Sequence, residues 1–99
     1  MTTNDWPARA TAEIDQRRYT PIRTGRIKLL AATLHRHADT AGVFAEYAED
    51  FPGLPVFSEE FCELIRSTPD DASADLGVLQ DAGLVSVTHT NRTTRVSLT

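Results

Sequence analysis

The chain is predicted to be a mainly α-helical domain that ends in a two-stranded β-hairpin. Three observations predict this. From Thr68 the sequence runs TPDDASADLGVLQDAGL, with Ala72, Leu76 and Leu79 at i, i+4 and i+7, a Thr-Pro opening and Gly83 at the close. The next residues, VSVTHT and TTRVSL, alternate aliphatic with polar positions on either side of Asn91-Arg92, as a tight hairpin requires. Upstream, Ile27, Leu30, Leu34 and Ala38 recur at helical spacing, so the hairpin has helices to pack on. Ninety-nine residues suffice for one modest core without disulfides or metal.

Residues 1–24 read as a basic arm. Trp6-Pro7 and Thr20-Pro21 punctuate it, and Ala8–Arg18 is compatible with a short docking helix whose one large apolar residue is Ile14. Such a helix holds only if Trp6, Ile14, Tyr19 and Ile22 dock on the rest. The main domain, residues 25–99, is expected to open with a helix at Gly25–Ala38, capped by Thr24 and widened by Leu29. A second helix is expected over Gly42–Phe51, with Val43, Phe44, Tyr47, Ala48 and Phe51 on one face and Glu46, Glu49 and Asp50 on the other. Pro52 and Pro55 stop it. A third helix over Ser58–Arg66 turns Phe61, Leu64 and Ile65 inward with Cys62 beside them, and Glu59 and Glu60 suit its first turn. The fourth covers Pro69–Ala82, with Thr68 as N-cap. For the hairpin, facing Val87 with Val96 and Val85 with Leu98 brings Thr90 to Thr93 around an Asn91-Arg92 turn. That register gathers the four aliphatics on one face and Ser86, Thr88, Arg95 and Ser97 on the other.

Charge is segregated along the chain. Residues 1–38 carry a net +4, residues 39–81 a net −10 with Arg66 their one cation, and residues 82–99 a net +2. An oriented field follows, in which one region attracts phosphate and another repels it. The single cysteine excludes an intrachain disulfide, no apolar run approaches a membrane span, and the N-terminus lacks the signal-peptide pattern, so a cytoplasmic protein is expected. His35 and His37 lie two apart on a helix and cannot chelate together, and Cys62 and His89 show no zinc spacing. GxSxG, P-loop, GxGxxG and HExxH patterns do not occur. No metal, cofactor or catalytic role is therefore expected.

Four helices and a terminal hairpin, with Ser67–Pro69 alone between the last two helices, resemble the winged helix-turn-helix family of prokaryotic and archaeal regulators. The residues that carry the resemblance are Thr68-Pro69, Leu76, Leu79, Ala82-Gly83-Leu84-Val85 and Arg95-Val96-Ser97-Leu98-Thr99. A weaker likeness, through Gly42–Tyr47 (GVFAEY), is to the winged helix end of archaeal replication initiators. The resemblance implies a double-stranded DNA partner, a role in transcription or another DNA transaction, and a homodimer. It also implies that the exposed early face of the fourth helix, Asp70, Asp71, Ser73, Ala74 and Gly77, meets base edges. None of these is the Arg, Lys, Asn or Gln that usually reads a purine.

DNA contact is accordingly expected through the wing, at Asn91, Arg92, Thr93, Thr94 and Arg95, and through Arg17, Arg18, Arg23, Arg26 and Lys28 of the arm and first helix, with Ser73 between. The competing role for the arm arginines is pairing with the acidic middle of their own chain. The alternative function is a protein-interaction module that uses Asp70, Asp71 and Asp75 of the acidic fourth helix with Phe44 and Tyr47 of the aromatic second. The competing role for Phe44, Tyr47, Phe51, Phe57 and Phe61 is core packing.

Overall fold

In a computed structural model, residues 5–39, 43–47, 59–90 and 93–99 are described. Helix α1 spans Trp6–Gln16, α2 Pro21–His37, strand β1 Val43–Tyr47, α3 Glu59–Leu64, α4 Pro69–Asp81, β2 Val85–Thr90 and β3 Thr93–Leu98. The predicted class holds at the level of a mainly helical chain closed by an antiparallel hairpin. The hairpin register is the expected one, with Val85 opposite Leu98, Val87 opposite Val96 and Thr90 opposite Thr93.

Residues 43–47 form a strand, not the helix expected over Gly42–Phe51. β1 pairs antiparallel with β3, Val43 opposite Ser97 and Tyr47 opposite Thr93, so the sheet order is β1-β3-β2. Val43, Phe44 and Tyr47 are residue types that suit a pleated surface. The strand start is fixed locally as well. The Asp39 carboxylate accepts from the Val43 N–H at 2.9 Å, and the Asp39 N–H donates to the Val43 carbonyl at 2.9 Å. Pairing with β3 satisfies a row of backbone groups that a short helix would have satisfied alone, and the tertiary gain outweighs helical periodicity. Ala48, Phe51, Phe57 and Ser58 lie outside the described residues.

The N-terminal segment belongs to the core. Trp6, Ala10 and Ile14 are buried with Ile27, Leu30, Ala31 and Leu34 of α2 and with Phe61, Ile65, Leu76, Leu79, Val85 and Val96. The Trp6 indole N–H donates to the Leu84 carbonyl at 2.7 Å, and its ring stacks on His35 with centroids 6.0 Å apart. One Arg9 guanidinium nitrogen donates to the Thr99 carbonyl at 2.8 Å. Burying side chains of this size contributes about 1.5–3 kcal/mol each, which a mobile arm would forgo. Helix α2 starts four residues earlier than expected. Thr20, not Thr24, is its N-cap, accepting from the Arg23 N–H, with Pro21 as the first helical residue. Ile22 is 84% exposed and does not dock, Leu29 points outward, and Leu64 is 59% exposed where an inward position was expected. Helix α3 is six residues long, and its inner side is already filled by Phe61, Cys62 and Ile65.

Helices α3 and α4 end alike. After α3, the Ser67 N–H reaches the Cys62 carbonyl and the Arg66 N–H the Glu63 carbonyl; after α4, the Leu84 N–H reaches Leu79 and the Gly83 N–H reaches Gln80. Both are the paired bonds of a Schellman cap, with the left-handed position held by Arg66 (φ +52°) and by Gly83 (φ +73°). Thr68 caps α4 through the Asp71 N–H, as its Thr-Pro opening predicts. The tight turn at 66–68 sets α4 against α3, and Gly83 turns the chain directly into β2.

Candidate nucleic-acid interface

The expected cations sort into two groups. The arm and α2 cations are largely committed to carboxylates of their own chain. Arg17 pairs with Glu13 one turn away at 3.0 Å, and Lys28 pairs with Asp15 at 2.6 Å. Arg26 grips Asp75 with two nitrogens, Nε to Oδ2 at 2.7 Å and a terminal nitrogen to Oδ1 at 3.3 Å. Arg26 also lies 3.6 Å from Asp71. Arg23 reaches Asp75 at 3.4 Å while its guanidinium sits 4.4 Å from the centre of the Tyr19 ring. Among the described residues Arg18 alone of the expected arm cations is in no ion pair.

Asp75 corrects an expectation. The sequence assigns it to a partner-binding face of α4, but its side chain is 1% exposed. It shares the inner stripe of the helix with Ala72, Leu76 and Leu79, all buried. A carboxylate there requires a cation, and Arg23 and Arg26, three residues apart on α2, supply two. The hydrogen bond that the Arg26 guanidinium donates to the Asp75 carboxylate is the main cause that raises the Arg26 pKa above its ordinary value, against the opposing effect of burial. The sequence held a signal for this cluster: an acidic residue in an otherwise apolar i, i+3, i+4, i+7 stripe.

The exposed face of α4 keeps Asp70, Asp71, Ala74, Gln80 and Asp81, with Ser73 half-buried. Asp70 and Asp71 also sit in the first turn, where the helix dipole favours them. The helix itself contributes no cation to this face, and among the described residues the cation set against it is Arg26 of α2, 3.6 Å from Asp71.

The sheet is different. Cross-strand register aligns Val43 of β1 with Ser97 of β3 and Ser86 of β2, Ala45 with Arg95 and Thr88, and Tyr47 with Thr93 and Thr90. Ser86, Thr88 and Arg95 are exposed, while Val85 and Val96 of the opposite face are buried. None of these nine positions carries any of the fourteen acidic residues of the chain. Arg95 stands in the central strand, with Ala45 and Thr88 as its direct cross-strand neighbours, and forms no ion pair among the described residues. Thr94 falls in the alternate set of positions with Val96. Asn91 and Arg92 lie outside the described residues, as do the side chains of Phe44, Tyr47, Thr93 and Thr94.

A groove of about 50 Å³ between α1 and α2, lined by Trp6, Ala10, Ile14 and Ala31, is far smaller than a ligand pocket. Among the described residues, no three His, Cys, Asp or Glu side chains gather as a metal site would need, and no helix is long and apolar enough to cross a membrane. No family model, no curated protein and no solved structure matches this chain.

Proposed function

We propose that the protein is a small winged helix DNA-binding module, acting in transcription or another DNA transaction, that meets the phosphate backbone with its sheet and wing and not with α4. One observation carries this: in a chain of net charge −4, the aligned sheet positions around Arg95 include no acidic residue and several hydroxyls, and Arg95 is exposed and in no ion pair among the described residues. Hydroxyl groups and arginine are the usual partners of phosphate oxygens. Arg92, between β2 and β3 in the sequence, adds a second cation. Arg23, Arg26 and Lys28 are withdrawn from the expected DNA contact because each already holds a carboxylate. Binding of this kind positions DNA without reading base edges, so low sequence selectivity is expected.

Fluorescence anisotropy with short duplexes across a salt series tests the proposal. Wild type is expected to bind at low salt. Arg95→Ala is expected to lower affinity alike for different sequences and to reduce the salt slope by about one. An unchanged slope rules out contact through Arg95.

A second reading rests on a separate observation. The exposed carboxylates Asp70, Asp71 and Asp81 of α4 form an acidic surface on a helix whose one buried carboxylate is already neutralised. A basic protein surface is the complementary partner. Absence of DNA binding at every salt concentration, with binding of a basic peptide abolished by Asp70→Asn/Asp71→Asn, would favour this reading.

A further inference from the structure

We propose that the free edge of β2 is a homodimer interface, at which two copies pair their β2 strands antiparallel into one continuous sheet. In the order β1-β3-β2, β2 is an outer strand. The Thr99 N–H bonds the Leu84 carbonyl at 2.9 Å, so Leu84 and Thr99 form a hydrogen-bonded pair. Alternation along an antiparallel ladder then turns the backbone groups of Ser86, Thr88 and Thr90 toward β3 and those of Val85, Val87 and His89 away from it. Among the described residues no strand takes up these outward donors and acceptors.

Outer strands of monomeric proteins carry devices against such pairing: charges, proline, a bulge or a very short length. The strand Val85–Thr90 has none of them. It is six residues long, VSVTHT contains no Lys, Arg, Asp, Glu or Pro, and its register with β3 is unbroken. The opposite edge, β1, is five residues long and carries Glu46.

The strand also matches itself. A twofold axis through Val87 sets Val87 opposite its own copy, Val85 opposite His89 of the second copy, and Ser86 opposite Thr88 of the second copy. No like charges meet, and the exposed Ser86 and Thr88 form hydroxyl pairs on the outward face. An antiparallel pairing of identical strands is isologous and closes at two copies. The six strands would carry both Arg95 residues on one outward surface, their strands about 14 Å apart across the sheet. The pairing does not rest on the DNA reading and is measured without nucleic acid.

Sedimentation equilibrium of the full chain over a concentration series tests it, with thermal melting to verify each fold. Wild type is expected to dimerise. Ser86→Lys/Thr88→Lys sets lysine against lysine twice across the axis and is expected to weaken the dimer at least about tenfold. Ser86→Lys/Thr88→Glu sets lysine against glutamate in the same register and is expected to restore it. A wild type that stays monomeric overturns the proposal. So does a dimer indifferent to the double lysine variant, or one that the Lys/Glu variant fails to restore.

Discussion

Arg66 and Gly83 occupy the same left-handed position after α3 and α4, and only one of them is built for it. A side chain with a Cβ is disfavoured there by about 1 kcal/mol or somewhat more. Arg66→Gly is therefore expected to raise stability by about 1 kcal/mol in a urea titration. Gly83→Ala is expected to lower it by a similar amount. A Cβ at Gly83 would meet nothing within 4 Å, so its cost is conformational and not steric. The Asp75 cluster gives a second contrast. Arg26→Ala removes the two-pronged partner of a buried carboxylate and is expected to cost about 3 kcal/mol. Arg23→Ala removes a longer, more exposed contact and is expected to cost about 1 kcal/mol or less. Equal losses would show that the two arginines share Asp75 evenly. The raised Arg26 pKa means that this ion pair contributes fully below the ordinary guanidinium range and is lost only as pH rises above it. Its contribution is thus constant through neutral pH.

At the scale of elements, α1 behaves as part of the domain. Trp6→Ala is expected to cost about 3–5 kcal/mol, because it opens a cavity beneath α2 and removes the hydrogen bond to Leu84. Chemical denaturation should read this as a fall in midpoint with one transition. A separate early transition of α1 would contradict its place in the core. What was legible in the sequence divides along the same line. The hairpin register and the caps of α4 are local: alternating aliphatics, a two-residue turn, Thr-Pro before and Gly after. The same Thr-Pro logic applies at Thr20-Pro21, where α2 begins with Thr20 as its cap in place of the expected Thr24. Strand β1 was not legible, because its partner β3 lies about 50 residues further along and GVFAEYAEDF satisfies a helical period. Nor was the division of the arginines. Arg23 and Arg26 differ from Arg95 only in what the fold brings beside them.

For the whole molecule, charge segregation in sequence becomes partial neutralisation in space. Among the described residues, Arg17, Arg23, Arg26 and Lys28 of the basic N-terminal third hold Glu13, Asp15, Asp71 and Asp75. What remains is an acidic outer face on α4 and a carboxylate-free outer face on the sheet. On the proposed function, a protein arranged in this way would approach a polyanion with the sheet side and keep α4 turned away, since surface fields of opposite sign orient the encounter. Orientation of this kind weakens as salt rises, over a Debye length of about 10 Å at 0.1 M ionic strength.

Backbone amide mapping by NMR during titration with a short DNA duplex at low salt tests this orientation most directly. The predicted result is that shifts concentrate at Ser86, Thr88, Arg95 and Ser97, while Asp70, Asp71 and Asp81 on the exposed side of α4 stay unmoved. Shifts centred on α4 with a silent sheet, or no shifts at all, would contradict the account.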